Sequence, residues 1–183
     1  MKGKWKFMVA ALCVLVFVVM AVASTGGDDD KPKKEGGNTV GNTSTAAGDE
    51  ELKFGLNETA AFKDLKITAN EIKTSQGSEF NKPAEGKIFV GVKITIENIS
   101  NEEKSISSLL LFDAYADDVK CEYSVSANMA FNEGTLDGSL SPGKKMVGYY
   151  AVEVSKDAKK LDLEIKSDWL SSSKARFELD IPQ

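Results

Sequence analysis

Histidine is absent from this chain of 183 residues, and cysteine occurs only twice, as Cys13 and Cys121. Histidine is the commonest general base near neutral pH and a common zinc ligand. Its absence excludes serine or cysteine nucleophiles that need a histidine partner, and every zinc site with an imidazole ligand. Cys13 lies inside an apolar N-terminal run, so a chain cleaved after this run keeps one thiol and forms no internal disulfide.

Negative charge exceeds positive charge beyond the first six residues. The chain has 23 Lys and Arg against 28 Asp and Glu, which gives a formal net charge of -5. Lys2, Lys4 and Lys6 contribute +3 to that balance, so the chain without them carries -8. A mildly acidic protein is a poor candidate for the phosphate contacts that dominate nucleic-acid affinity. We therefore expect no nucleic-acid partner.

Residues 1–23 have the layout of a signal peptide or a membrane anchor. A basic stretch, M-K-G-K-W-K, precedes the unbroken apolar run Phe7 to Ala23, and Ala21-Val22-Ala23 matches a small-x-small cleavage pattern before Ser24. The alternative to cleavage is a retained anchor, because the run of 17 residues is at the lower limit for crossing a bilayer. Both alternatives place the rest outside the cytoplasm, either secreted or tethered to the outer face of the cytoplasmic membrane. The membrane is then contacted only through residues 7–23, if they are uncleaved.

Residues 24–51 have the composition of a linker. They are rich in Gly, Ser, Thr, Asn and charged residues, and Val40 is their only strongly apolar residue. Such a stretch cannot bury enough apolar surface to offset its ordering entropy, so we expect it to be disordered.

Residues 52–183 show the period of two that is typical of half-buried strands. In Lys87 to Asn98, large aliphatic residues alternate with Phe89, Lys93, Thr95 and Glu97, and in Met146 to Val154 the residues Tyr149 and Glu153 point outwards. Turn signals separate these runs, among them Asp117-Asp118 and Ser141-Pro142-Gly143. About seven or eight short strands without a long helix predict an all-β, immunoglobulin-like antiparallel β-sandwich. The other runs are Leu65–Ile72, Leu109–Tyr115, Val119–Tyr123, Leu161–Ile165 and Phe177–Ile181.

Two stretches of this domain carry a resemblance. The first is Gly55-Leu56-Asn57-Glu58-Thr59 with the later KIFVGVKITIENIS, which contains Asn98, and the second is LSPGKK with GYYAVEV and KLDL, residues 140–163. Together they resemble a family of exported Gram-positive domains of unknown function with a telokin-like immunoglobulin fold, also seen in a secreted mycobacterial immunogenic protein. The resemblance covers roughly Leu52 to Ile181 and implies a fold but no catalytic residues. Many members are lipoproteins with a cysteine just after the signal, which this chain lacks.

Short motifs that could carry chemistry are weak. The Ser-x-x-Lys matches at 141–144 and 171–174 lack the Ser-Asp-Asn and Lys-Thr-Gly partners of penicillin-recognising enzymes. Asp113, Asp117 and Asp118 could offer calcium oxygen ligands, but the EF-hand spacing is missing and hairpin turns favour aspartate. We therefore predict no catalytic, cofactor-binding or metal-binding residues.

Two single residues have alternative roles. Cys121 lies in a predicted strand and is expected to pack as a small hydrophobe rather than to act as a redox centre. Trp169, between two strands, is expected to be a buried plug, although an exposed tryptophan there could anchor a ligand or partner.

Three functions remain open at this stage. A tethered sandwich without a reactive constellation favours a non-enzymatic binding module, secreted or displayed on the surface, with a protein or cell-envelope partner. The alternative is a structural accessory or spacer domain in a membrane or envelope complex. A hydrolase that uses carboxylates alone is the third, but solvent-facing positions of strands explain the abundant Asp and Glu.

Overall fold

The structure is a computed structural model that describes residues 30–35 and 52–183. The predicted signal or anchor, residues 1–23, and residues 24–29 and 36–51 of the predicted linker lie outside the described residues. Within the described ranges, no helix has the length and apolar character needed to cross a bilayer.

Fourteen elements follow one another along the described chain, twelve of them strands. Six strands have five or more residues and six have two or three, so the predicted count of seven or eight missed several short edge strands. In chain order they are β1 (Lys33–Glu35), β2 (Lys53–Phe54), β3 (Thr59–Ala61), β4 (Leu65–Ser75), β5 (Lys87–Asn98), β6 (Lys104–Ile106), α1 (Ser108–Leu111), β7 (Phe112–Ala116), β8 (Val119–Lys120), α2 (Val125–Ala130), β9 (Gly138–Leu140), β10 (Lys145–Ser155), β11 (Lys160–Lys166) and β12 (Lys174–Asp180).

The strands form two five-stranded sheets. The first has the order β1-β3-β4-β5-β10, the second has the order β2-β12-β11-β7-β8, and β6 and β9 form a small separate ribbon. All pairs are antiparallel except β12 with β2, which pair in parallel at Phe177 and Phe54. This arrangement confirms the predicted all-β sandwich.

The core lies between the sheets and follows the period of two. Along β5 the aliphatic side chains of alternate residues are buried, and the facing strand β11 contributes Leu161, Leu163 and Ile165. The rings of Phe54 and Phe177 lie 5.4 Å apart at the parallel edge. Full burial of each such side chain contributes about 1.5–3 kcal/mol relative to an exposed one, so this single cluster accounts for the cohesion of the two sheets.

The predicted turns occur where the sequence indicates them. Asp117 and Asp118 have positive φ angles of 45° and 66° and connect β7 to β8 in a two-residue hairpin. Aspartate tolerates this left-handed backbone conformation better than most residues. Gly143, with φ 69°, follows Pro142 in the turn between β9 and β10.

The structure differs from the linker prediction at residues 33–35, which form β1 against β3 rather than remaining disordered. All three residues of β1 are charged and exposed, so they contribute little to the core. The apolar–polar alternation that predicts the other strands is therefore absent from β1. It is stabilised by backbone pairing and by two ion pairs, Lys34–Glu58 at 2.8 Å and Lys66–Glu35 at 2.5 Å.

Candidate interaction surface

Helix α2 covers part of the outer face of the first sheet. Ala127 packs against Phe89 and Ala151, which form a small second cluster on this face. Gly91 lies beneath the ring of Phe131, because a Cβ atom at this position would approach the ring carbons within 2.8 Å. Strand alternation places Phe89 on the outer face of the sheet, but α2 covers it there and it is buried. Gly91, on the same face of β5, leaves room for Phe131 at the end of the helix.

Asn128 fixes the helix to the exposed edge of β10. Its Nδ2 donates to the Ala151 carbonyl oxygen at 3.0 Å, and its Oδ1 accepts from the Ala151 N–H at 3.1 Å. The side-chain amide thus takes the place of a neighbouring strand at this residue, and satisfies backbone groups that would otherwise lack a partner. Ser124 caps the helix, since its Oγ accepts from the Ala127 N–H at 3.1 Å.

The opposite face of α2 is apolar and exposed. Val125 and Met129, one helical turn apart, are 63% and 66% exposed. Phe80 is nearby, at the tip of a tight turn closed by two backbone hydrogen bonds between Ser78 and Asn81. The Asn81 Nδ2 donates to the Ser126 carbonyl oxygen at 2.8 Å, which joins this turn to the helix. Phe80 is 95% exposed although the turn beneath it is held at several points.

Gly77 is required for this turn. Its φ is +73°, and an added Cβ atom would lie 1.8 Å from the Asn81 carbonyl oxygen and 3.1 Å from the Phe89 ring. Only glycine combines this backbone conformation with so close an approach. The Phe80 turn therefore has one defined conformation relative to α2.

Two open grooves flank the helix. One, of about 760 Å³, lies between α2 and the adjoining ends of β8 and β10, and is lined by Val119, Tyr123 and Val125 among others. The other, of about 380 Å³, lies between α2 and the Phe80 turn and is lined by Met129. We name the exposed apolar residues of both grooves the α2 surface: Phe80, Val119, Tyr123, Val125 and Met129.

A polar cluster borders α2 on the sheet face. The Tyr149 hydroxyl donates to the Glu71 Oε2 at 2.8 Å, and its ring stacks on Phe131 at 5.3 Å. Lys73 and Lys93 lie over the same ring, with their Nζ atoms 5.9 and 5.6 Å from its centre. Burial and the Glu71 carboxylate raise the pKa of Tyr149, while the hydrogen bonds from Tyr149 and Lys73 lower the pKa of Glu71. The phenol thus stays protonated near neutral pH, and the cluster holds Phe131 in place rather than offering a base.

A second group of charges lies on the outer face of the other sheet. The Glu164 carboxylate accepts from the Lys174 Nζ at 2.8 Å and from the Arg176 Nε at 3.0 Å. Burial raises the pKa of Glu164, but these two hydrogen bonds outweigh it and the net direction is downward. For Asp162, two residues along β11, burial and the Glu178 carboxylate raise the pKa. Asp162 and Glu164 border an open groove of about 260 Å³. Because the charge of Glu164 is neutralised by Lys174 and Arg176, we interpret this group as a structural ion-pair network.

The residues of both Ser-x-x-Lys motifs make hydrogen bonds within the fold. Ser141 lies in the turn before β10, and its Ser-x-x-Lys partner Lys144 donates its backbone N–H back to the Ser141 carbonyl oxygen at 3.1 Å. In the other match, the Lys174 Nζ binds Glu164 and the Ser171 Oγ accepts from the Ser173 N–H at 3.0 Å.

The three aspartates considered for calcium have protein partners or turn roles. Asp113 pairs with Lys120 at 2.7 Å. The Asp117 Oδ1 accepts from the backbone N–H groups of Lys159 at 3.1 Å and Lys160 at 2.9 Å, which fixes the hairpin to the start of β11. Within residues 30–35 and 52–183, no three His, Cys, Asp or Glu side chains are grouped closely enough to hold a metal ion.

Cys121 is half-buried and packs against the core, in agreement with the expected packing role. Burial raises the pKa of its thiol, so the unreactive protonated form dominates near neutral pH. Trp169 is not the buried plug that we expected, because 65% of its surface is exposed. It lies in the connection between β11 and β12, where no strand pairing draws it into the core.

Neither α2 nor Phe80 was identified from the sequence. A six-residue helix is too short to show the 3.6-residue period of apolar side chains. Its one usable sequence signal is Ser124, because serine is a common N-cap residue. The sequence also placed Tyr149 on the outer face, which is correct, but α2 and Phe131 cover it there.

Two solved structures show the same fold at low sequence identity, and a third is similar at a lower TM-score. The ycdA protein of Bacillus subtilis, assigned as a lipoprotein, has a TM-score of 0.54 and 14% identity, over 64% of this chain and 36% of that one. The yjhA protein of Bacillus subtilis has a TM-score of 0.53 and 17% identity, over 70% of this chain and 99% of that one. The secreted protein MPT63 of Mycobacterium tuberculosis has a TM-score of 0.48 and 10% identity, over 73% and 99%. No curated protein matches the chain.

The family resemblance seen in the sequence is confirmed by a direct match. The profile described as "Domain of unknown function (DUF4352)" matches residues 54–176, which span both sheets from β2 to β12. The chain belongs to this family of domains of unknown function, DUF4352.

Proposed function

We propose that the chain is an exported, non-enzymatic binding module that presents the α2 surface to a protein partner outside the cytoplasm. Export is supported by the basic and apolar composition of residues 1–23. Binding rather than catalysis is supported by the described side chains, whose charged clusters are neutralised on open sheet faces.

The observation that carries the proposal is the state of Phe80. A phenylalanine that is 95% exposed loses the stabilisation that burial gives, about 1.5–3 kcal/mol. Here the turn that carries it is nevertheless fixed by Gly77 and by the hydrogen bond from Asn81 to α2. A rigid support limits the entropy lost on binding, and a large exposed aromatic is a typical energetic centre of a protein interface.

The proposal is tested by site-specific photo-crosslinking in source cells. A photoreactive phenylalanine analogue at position 80 is expected to capture one protein, identified by mass spectrometry. The same analogue at Leu109, an exposed residue at the other end of the sandwich, is the matched control and should not capture it. Capture at both positions, or at neither, contradicts the proposal.

The captured protein is then tested in purified form. Phe80→Ser should weaken its affinity by roughly 10- to 150-fold, which corresponds to burial of one phenylalanine. Leu109→Ser should leave the affinity unchanged. If the chain is instead recovered in a stable envelope complex whose affinity does not depend on Phe80, the alternative function of a structural accessory or spacer domain is favoured.

A further inference from the structure

The connection between β11 and β12 presents two large apolar residues at the tip of a turn. The Ser171 N–H donates to the Asp168 carbonyl oxygen at 3.1 Å, which closes a turn with Trp169 and Leu170 at its centre. The Asp168 Oδ1 also accepts from the Leu170 N–H at 2.8 Å. Central turn positions usually carry polar residues or glycine. Here the two side chains are 65% and 74% exposed.

A second exposed apolar pair lies at the same end of the sandwich. Leu109 and Leu110 belong to α1, and each is 62% exposed. The next residue but one, Phe112, pairs with Ile165 in the second sheet, and Ile165 lies just before the loop that carries Trp169. The strand ends therefore place both apolar pairs at one end of the domain.

The N-terminal segment enters the domain at this same end. Asp30 accepts a hydrogen bond from the Lys63 N–H at 2.9 Å, and also binds the hydroxyl of Ser167. Ser167 directly precedes the Asp168 turn. Only residues 24–29 separate Asp30 from Ala23, the last residue of the apolar run. A fully extended chain reaches about 3.5 Å per residue, so Asp30 lies within roughly 25 Å of the end of that run.

We propose that, when the apolar run is retained as an anchor, the Asp168–Ser171 turn rests on the phospholipid bilayer and inserts Trp169 and Leu170 into its headgroup region. This inference rests on the export proposed above and on the alternative, given by the sequence, that residues 7–23 stay uncleaved as an anchor. Tryptophan and leucine suit this region because the indole has an apolar body and a polar N–H, and the tether keeps them close to the bilayer at high local concentration. The contact uses apolar rather than basic residues, so zwitterionic lipids are sufficient.

Tryptophan fluorescence tests the contact, because the chain contains only Trp5 and Trp169. The full chain with Trp5→Phe is reconstituted into phosphatidylcholine vesicles with and without bromine atoms on the acyl chains. Bromine quenches only nearby indoles, so Trp169 emission is expected to fall about twofold in brominated vesicles. Leu170→Ser should reduce this quenching. Val119→Ser, an equally exposed aliphatic residue at the other end of the sandwich, is the matched control and should not.

Flotation of the same vesicles distinguishes two failures: that of the apolar run to hold the chain on the membrane (the tether), and that of Trp169 and Leu170 to insert into it (the contact). If the chain floats with the lipid and Trp169 is unquenched by bromine, the contact is refuted while the tether stands. Protection from aqueous acrylamide in that case shows that protein, such as a second copy, covers Trp169 instead. If the chain does not float, the tether fails and the proposed contact fails with it.

Discussion

Replacing Asn98 is expected to cost more stability than any other single polar substitution in the described domain. Its side chain is fully buried at the end of β5 and makes four hydrogen bonds. The Nδ2 donates to the carbonyl oxygens of Glu102 at 2.7 Å and Leu140 at 2.8 Å, and the Oδ1 accepts from the N–H and hydroxyl of Ser100. One amide thus joins β5, the following loop and β9.

The magnitude follows from the groups that lose their partners. Asn98→Ala leaves the buried Leu140 carbonyl oxygen without its donor and also removes the bonds to Glu102 and Ser100. At about 1 kcal/mol for each bond in a buried setting, partly offset by water entry at Ser100, we expect a loss of roughly 3 kcal/mol. This is a large fraction of the 5–15 kcal/mol that typically separates folded from unfolded domains.

Asn98→Asp should cost still more at neutral pH, because it places a carboxylate against two carbonyl oxygens. The two hydrogen bonds from Ser100 favour the charged carboxylate, but full burial and the carbonyl oxygens of Glu102 and Leu140 oppose it, and we expect them to raise the pKa of this carboxyl above its unfolded value of about 3.9. Protonation then favours the folded state, so the deficit relative to the native chain is largest above the folded pKa. It should shrink as the pH falls through that value. This pH dependence distinguishes a buried charge from simple loss of packing.

Urea unfolding followed by circular dichroism at pH 7 and pH 5 measures both effects. Asn101→Asp, at an exposed position three residues away, is the matched control and should change the free energy of unfolding by less than about 0.5 kcal/mol. If Asn98→Ala costs no more than this control, or if the deficit of Asn98→Asp is independent of pH, the reasoning is wrong.

Three further substitutions test the seating of α2 and the attachment of β1. Gly91→Ala should displace the Phe131 ring and lower the urea midpoint, whereas Gly55→Ala, whose new Cβ would come no closer than 3.8 Å to another group, should not. Asn128→Ala should speed amide exchange in α2, because it removes both bonds to Ala151. Hydrogen bonds from Lys34 and the Gly55 N–H lower the pKa of Glu58, so its contribution is present above the unfolded value of about 4.3 and is lost as pH falls through the lower folded value. Glu58→Gln should therefore flatten the acid side of the stability profile.

The two sheets could be predicted from sequence because each long strand alternates apolar and polar residues. The clearest case is β5, whose inward residues are buried as expected. The hairpin at Asp117 and Asp118 was also predictable, because few residue types tolerate positive φ at both positions. In these elements local sequence and tertiary packing favour the same structure.

The candidate site could not be predicted because alternation identifies the two faces of a strand but not what covers them. Phe89 points away from the core and is buried only because α2 lies on it. The helix itself is held by Asn128 and by the space above Gly91, contacts between residues far apart in sequence. The polar strand β1 escaped prediction for the same reason, since ion pairs across 24 or more positions hold it.

The two exposed apolar surfaces lie at opposite ends of the sandwich. Strand β4 begins beside the Asp30 contacts and ends just before the Phe80 turn, and its eleven residues span roughly 35 Å. A domain tethered at its Asp30 end therefore directs the α2 surface away from the bilayer, and the two surfaces require different occupants. Because sites so far apart rarely couple, each substitution should affect one readout only. Phe80→Ser should weaken partner binding by roughly 10- to 150-fold and leave the quenching of Trp169 by brominated lipid intact. Leu170→Ser should reduce the quenching and leave partner binding intact, and a change of both readouts in either variant would show that the two surfaces are not independent.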